Sequence, residues 1–410
     1  VGFALDFDLL SLSEEKREMA TVNERDVIVV GGGPAGAATA TMLAQKGYDV
    51  LLFDRKEFPR DKACGDAVPA GAIEILWRLG MQEKIRKAEE RGEFYPLTQM
   101  LLVSPKGYEL EATLHRGKGG ADSYVTPRIH FDAVIQQHAV DSGAEFCRAQ
   151  VKAPIVENNR VVGVRARANG STKDFRAKVI IGADGVTSAI TRAIRPKSKQ
   201  HVDAHRAVAL RAYIEDLEEF PHEVEFYLYR DLLPGYAWIF PIGENKANIG
   251  LGMRLDQFRR LKRSLDDMLR DFLEMPAIKK RLKRGGQIRD VATWQLNFGS
   301  QKDLQHAFDG ALLVGDAAGF INPLTGGGIH NALVSAELAA QTVHEALQKG
   351  DTSREAMAIY EQQCHEAMWA GMKRSYTLQA WLQRFPFLID FLIKRMKENS
   401  QLAQIFLTKL

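Results

Sequence analysis

Val27-Ile28-Val29-Val30-Gly31-Gly32-Gly33-Pro34-Ala35-Gly36 is the stretch that decides the fold. Four β-branched residues in a row suit a strand buried on both faces of a parallel sheet. The glycine loop that follows opens a small-residue helix, expected from about Ala35 to Lys46 and ended by Gly47. A second strand, Val50-Leu51-Leu52-Phe53, closes at Asp54. Gly31-x-Gly33-x-x-Gly36 therefore sits after a strand and at a helix start, where its backbone can approach a pyrophosphate and the free helix N–H groups can meet the charge. Asp54, 18 residues past Gly36, is placed to accept from both ribose hydroxyls, and its charge disfavours a 2′-phosphate. The bound nucleotide is expected to be FAD or NAD rather than NADP. A glycine turn without a ligand would need neither the helix nor the acid.

Working outward, two further buried strands end in glycine loops. Val179-Ile180-Ile181 enters Gly182-Ala183-Asp184-Gly185, and Ala311-Leu312-Leu313-Val314 enters Gly315-Asp316-Ala317-Ala318-Gly319. Asp316 thus emerges at a carboxyl end of the sheet, where open α/β sheets bind ligands and where a carboxylate can hold a ribityl chain that NAD lacks. Gly326-Gly327-Gly328 then opens a helix expected to run to Leu347, its N–H groups available to the electron-rich end of an isoalloxazine ring. A strand-to-helix turn with an aspartate cap is the plainer reading of Asp316 taken alone.

The fold class is α/β, a Rossmann-like FAD-binding domain with an inserted antiparallel β domain and a C-terminal helical region. The expected divisions are a tail at 1–22, a discontinuous FAD-binding domain at 23–96, 126–204 and 286–347, a substrate-binding β domain at 97–125 and 205–285, and helices at 348–410. Alternating and aromatic-rich runs such as Val224-Glu225-Phe226-Tyr227-Leu228-Tyr229 mark the β domain. Met19 is a plausible second start site within the tail, and Asp6 and Asp8 break the run that a signal peptide would need.

Composition narrows the function classes. The 410 residues carry 55 Lys+Arg against 52 Asp+Glu, a net charge of +3, too small to argue for nucleic acid. With 45% hydrophobic and 26% charged residues the chain is of ordinary globular type. Cys64, Cys147 and Cys364 are too dispersed for a metal site, an iron–sulfur cluster or a disulfide framework, which points to the reducing cytoplasm. No run is apolar enough to span a membrane: the charge-free stretch 317–336 is interrupted by Asn322, Pro323, Thr325, the glycines 326–328, His330 and Asn331.

Four ordered motifs across about residues 25–345 resemble the geranylgeranyl reductase family of the FAD-dependent, p-hydroxybenzoate hydroxylase-like superfamily. They are GGGPAG at 31–36, GADGVTS at 182–188, PGYAWIFP at 234–241 and GDAAGFINPLTGGGI at 315–329. The third is the specific one, similar to a YxWxFP substrate-domain signature and followed by Gly250 and Gly252. The resemblance implies FAD held by Gly31, Gly33, Pro34, Ala35, Gly36, Asp54 and Arg55, by Cys64, Gly65 and Asp66, by Arg128 at the head of a helix, by Asp184 and Gly185, and by Gly315, Asp316, Pro323, Gly326, Gly327, Gly328 and Ile329. It implies NADPH or NADH as reductant, and an isoprenoid or prenyl-lipid substrate. Two positions depart from the family: Gly327 where Glu is common, and Ile242 where Lys often follows the signature. Both bear on the substrate head group.

Tyr236, Trp238 and Phe240 share one face of a strand, and with Pro241 they are the expected substrate-binding residues, walling an apolar tunnel over the flavin; alternation alone fits a β-domain core equally well. Cys64 is the first candidate for the proton donor and Tyr236 the second. Arg60 and Lys62 would favour a Cys64 thiolate, and a buried structural cysteine is the alternative. Residues 254–289 hold 12 Lys/Arg against 5 Asp/Glu and read as one amphipathic basic helix, packed on the core or attracted to anionic lipid. Trp381, Phe385, Phe387 and Phe391, ringed by Arg384, Lys394, Arg395 and Lys397, pose the same choice, so the expected location is cytoplasmic or peripheral on a membrane. The expected reaction is saturation of a prenyl C=C bond by hydride from reduced flavin, with a separate electron-donor protein as the other source of electrons. A flavin monooxygenase or halogenase, a flavoprotein passing electrons to quinone, and a non-catalytic lipid-binding flavoprotein are the alternatives.

Overall fold

The computed structural model describes residues 24–399 except 115, 216, 218–222, 244 and 283–286. The expected tail at 1–22 and residues 400–410 lie outside the described residues.

Two large sheets organise the chain. In the first, parallel strands run in the order Ala311–Leu313, Ser171–Gly182, Arg25–Val30, Val50–Asp54 and Glu145–Arg148, with Ala307–Phe308 added antiparallel at one edge. Val27, Ile28 and Val29 are fully buried in a core shared by residues of the helix Pro34–Gln45 and of the strands Arg160–Ala168 and Ser171–Gly182. Pro34–Gln45 follows the first glycine loop as a helix, with the proline at its first turn, where no N–H is missed. Ile329–Lys349 begins at Gly328 and ends at Gly350 in the left-handed conformation. Ser171–Gly182 also extends outward as one arm of an antiparallel meander with Arg160–Ala168 and Gln150–Glu157. Its turns carry Asn158, Asn159, Asn169 and Gly170 at positive φ, a hairpin signal in the sequence.

The second sheet has seven strands in the order Ile288–Asn297, Arg206–Ile214, Lys246–Arg254, Tyr236–Gly243, Glu223–Tyr227, Gln99–Val103 and Glu109–Thr113. All pairings are antiparallel except Glu223–Tyr227 with Gln99–Val103. Three expectations change here. Ile288–Asn297 pairs with Arg206–Ile214, so these residues belong to the second sheet and not to the dinucleotide-binding unit. Ser123–Val125 pairs with Ala67–Val68 and Tyr95–Leu97 in a small third sheet instead of joining the β domain. The basic segment is also not one helix: Leu255–Leu261 stops at Lys262 in the left-handed region, and Leu265–Glu274 starts afresh under the Ser264 cap. Leu265, Met268, Leu269 and Phe272 of that second helix are buried against Leu210, Ile249 and Ala237, so its apolar face is core.

Beyond residue 350 the described chain is helical, ending in Ala370–Arg384 and Phe387–Glu398. Ile389, Ile393 and Met396 pack on Leu110 of the second sheet.

Candidate active site

The glycine loop is held by contacts too close for side chains. A Cβ on Gly36 would lie 1.8 Å from the Gly31 carbonyl oxygen, and one on Gly31, at φ +109°, would lie 2.3 Å from that of Ala183. The helix Pro34–Gln45 can approach the strand end only because both residues lack a Cβ. Asp54 is committed to shaping this loop: one oxygen accepts from the Gly32 N–H at 2.9 Å and the other from the Lys56 N–H at 2.9 Å.

Two guanidinium groups face Gly33, that of Arg128 buried and that of Arg60 partly so. Arg60 and Arg128 end within 4 Å of the position its Cβ would take. Both are oriented by Asp132, which receives Arg128 in bidentate fashion at 2.6 and 2.7 Å and Arg60 at 2.8 Å. Three N–H-rich elements, the loop and two arginines, thus converge where a pyrophosphate would sit. Asp132 and Arg60 were missed from sequence, although an acid one turn after Arg128 in a helix is a readable signal.

Asp184 accepts from the Ala189 N–H at 2.6 Å, while its other oxygen is buried without a protein partner among the described residues. Burial raises its carboxyl above the usual range. An orphaned acceptor beside the loop fits a donor from the cofactor. Asp316 pairs with the Lys62 ammonium at 3.0 Å. Burial pushes its carboxyl up, but the Lys62 charge and hydrogen bond hold it net below the ordinary value.

These elements border one cavity of about 1550 Å³. That exceeds the ~300–1,000 Å³ of a pocket for a single small ligand, and leaves space for a dinucleotide and an apolar second ligand. Its wall includes Gly31, Gly33, Pro34, Ala35, Asp54, Arg55, Cys64, Gly65, Asp66, Arg128, Asp184, Gly185, Asp316, Pro323, the glycines 326–328 and Ile329. Gly36 and Gly315 act one layer behind: Gly315 lets Ala35 and Ala332 approach, its own Cβ being 2.9 Å from that of Ala35.

The second sheet roofs the same cavity. Tyr236, Trp238 and Phe240 line it, together with Leu97, Met100, Val224 and Phe226. Ala237 and Ile239 turn to the opposite core. Pro241 falls on that opposite parity, paired with Ala247, and does not reach the cavity, so the strand pleat removes it from the expected substrate contacts. A Cβ on Gly65 would lie 3.1 Å from the Phe240 ring, so the aromatic roof rests directly on the Cys64-Gly65-Asp66 loop. Gly250 makes room for Trp238, whose ring would be 2.3 Å from a Cβ there.

The proton-donor candidates are placed differently from expectation. The Tyr236 hydroxyl donates to the Thr325 carbonyl, immediately before the three glycines, and burial raises its pKa. Burial likewise raises the Cys64 thiol, so Cys64 is a thiol and not the thiolate that Arg60 and Lys62 would favour; those cations are engaged by Asp132 and Asp316. A polar cluster that sequence reading did not assemble ties loop to roof. Asn248 donates to the Cys64 carbonyl at 2.8 Å and to Asp66 at 2.7 Å, accepts from the Trp238 indole at 2.9 Å, and Tyr213 donates to Asp66 at 2.7 Å. Asn248 and Arg211, polar residues inside otherwise apolar strands, were the available signal.

Residues 24–375 match the FAD binding domain family. A digeranylgeranylglycerophospholipid reductase of Methanopyrus kandleri is 33% identical over 369 residues, covering 87% of this chain and 86% of the relative. Among solved structures, a geranylgeranyl bacteriochlorophyll reductase-like protein of Thermoplasma acidophilum superimposes with a TM-score of 0.80 at 29% identity, over 90% of this chain and 91% of that one. A flavin-dependent brominase shares the fold at 21% identity and a TM-score of 0.77, over 93% and 92% of the two chains. The glycine cradle, the roofed cavity and these likenesses agree: the chain belongs to the FAD-binding domain family and, within it, to the geranylgeranyl reductases.

Proposed function

We infer that the protein is an FAD-dependent oxidoreductase that saturates C=C bonds of a prenyl chain. The observation that carries this reading is the sharing of one cavity by the dinucleotide cradle and the aromatic face of Tyr236, Trp238 and Phe240. FAD, when bound, supplies the two-electron chemistry by hydride donation. The protein's own residues do the rest. Gly31, Gly33 and the Arg60–Arg128 pair hold the pyrophosphate, Asp316 the ribityl hydroxyls, and the N-terminus at Gly328 the ring. Phe240 and Trp238 exclude water and hold an alkene at reacting distance, ~3–3.5 Å. An isolated alkene carries little charge, so its recognition rests on shape and dryness rather than on ion pairs.

The names of the relatives support a digeranylgeranyl glycerophospholipid, or a lipid of that class, as substrate. NADPH or NADH, docking transiently against the cofactor, is the proposed reductant, with an electron-donor protein as the other source. No described helix is long and apolar enough to cross a membrane. Trp381, Phe387 and Phe391 are nonetheless 56%, 61% and 54% exposed beside Arg384 and Arg395. We propose that this corner rests on the cytoplasmic face of a membrane, since Leu382, on the helix that carries Trp381, lines the cavity.

The test is anaerobic addition of prenyl lipid to the dithionite-reduced, FAD-loaded protein. Reappearance of the oxidised flavin spectrum without oxygen is expected. Reoxidation that requires oxygen and yields a hydroxylated or halogenated product would overturn the reading in favour of the brominase-like chemistry.

A further inference from the structure

Saturating a C=C bond needs a proton as well as a hydride, and the proton must come from a group that is protonated at neutral pH inside a dry cavity. Asp66 is fully buried in the cavity wall and takes a backbone φ of +65°, unusual for a residue with a side chain. Its two oxygens are not equivalent. Oδ2 accepts from the Tyr213 hydroxyl and from the Asn248 amide, each at 2.7 Å. The amide cannot be turned around, because its own oxygen accepts from the Trp238 indole N–H, which can only donate. Oδ1 is buried and has no hydrogen-bond partner among the described residues.

An ionised carboxylate would leave a charged acceptor unsatisfied at Oδ1 in an apolar wall, whereas a neutral acid places its hydrogen there and keeps Oδ2 as the acceptor of both donors. We propose that Asp66 is the proton reserve of this site, carrying its proton on Oδ1 behind the cavity surface and replacing the proton that the prenyl chain takes. The groups facing Asp66 are Tyr213, Arg211 and Arg128, which favour the charged form, and the neutral Cys64 thiol. Burial outweighs them and raises the carboxyl to about 7, near the poise that suits a general acid at neutral pH. Tyr213 stays protonated, pushed up by burial and by the adjacent Asp66, so it remains a donor.

The step rests on the reductase reading and balances as follows. The alkene π bond breaks; one carbon gains a hydride from the reduced flavin, which is oxidised. The other carbon gains a proton at the cavity surface that is replaced from Oδ1, leaving Asp66 a carboxylate that recovers a proton from solvent. A reduced nicotinamide restores the flavin.

The test separates the acid from the reaction. Infrared spectra of the FAD-loaded protein are titrated through neutral pH, following the carboxylic C=O stretch above the amide band. The wild type should show one such band that titrates near neutrality and shifts in D₂O, and Asp66→Asn should lack it. Tyr213→Phe, which removes one donor to the ionised form, should retain the band and titrate at higher pH. With prenyl lipid, Asp66→Asn should lose turnover by about a hundredfold. A wild type with no band, or a band unchanged in Asp66→Asn, overturns the proposal even if prenyl reduction stands. The expected bands in a protein that saturates no alkene would sink the delivery step and the reductase reading but not the proton-holding assignment. If Asp66→Asn fails to fold, an unshifted Tyr213→Phe titration overturns the assignment of Oδ1.

Discussion

The two walls of the cavity recognise their ligands by different means. The dinucleotide wall is made of backbone: Gly31 and Gly36 in near-contact, an N–H row, and charges fixed by Asp132 and Lys62. The roof is made of side chains on one face of a pleated sheet, tied to the loop by the polar cluster through Asn248. Backbone recognition tolerates no added atom, whereas an aromatic roof can lose one ring and still close. Substitutions in the two walls should therefore separate cofactor affinity from turnover.

The sharpest break is expected at Gly36→Val. Its side chain would need the space of the Gly31 carbonyl, 1.8 Å away. FAD affinity should fall more than about 100-fold, equivalent to ~2.7 kcal/mol or more, and the protein should purify colourless. In the roof, Phe240→Ala should keep its FAD and lose roughly tenfold to thirtyfold in kcat/KM for prenyl lipid, or ~1.4–2 kcal/mol. A Phe240→Ala protein that sheds FAD, or a yellow Gly36→Val protein, would break the comparison.

The two walls also differ in how their carboxylates respond to pH. Asp316 sits below its ordinary 3.8 in the folded protein, so the stability it contributes is complete above that value and is lost as pH falls through its lowered folded value. Asp66 is raised from 3.8 to about 7, so the fold holds a proton that the unfolded chain has released. Its effect on stability is therefore unfavourable with rising pH across that window, by as much as a few kcal/mol. Urea denaturation of the apoprotein should show a decline in stability between about pH 4 and 7 that flattens in Asp66→Asn. Lys62→Met should weaken stability at neutral pH and soften the loss in acid, because Asp316 no longer has the charge that lowers it. The smallest expected effect is at the exposed corner. Phe387→Ser with Phe391→Ser should reduce co-sedimentation with anionic vesicles roughly threefold to tenfold, leaving turnover on detergent-dispersed substrate unaltered.

The contrast between walls explains what could be read from the chain. Gly31-x-Gly33-x-x-Gly36, Asp184 and Asp316 are legible because each sits at a fixed place after a buried strand, and backbone geometry sets the spacing. The roof is legible only as a face: alternation puts Tyr236, Trp238 and Phe240 together, but does not tell cavity from core. The polar cluster was not legible, since Asp66 meets Tyr213 and Asn248 across separations of 147 and 182 residues that only the fold closes. The amphipathic run at 254–289 left core and lipid open as partners, and only its reading as one helix fails. Its apolar positions are real, but the second sheet supplies the partner, so a helix face that suits a lipid surface is spent on the core.

The central claim is that a prenyl chain and the FAD ring share one dry cavity, so that electrons pass directly between them. Single-turnover mass spectrometry tests it: the FAD-loaded protein is reduced anaerobically, mixed with excess prenyl lipid, and quenched as the flavin reoxidises. The account predicts a mass gain of two hydrogens in the lipid, with one double bond saturated per flavin oxidised. Flavin reoxidation with an unaltered lipid mass would contradict it.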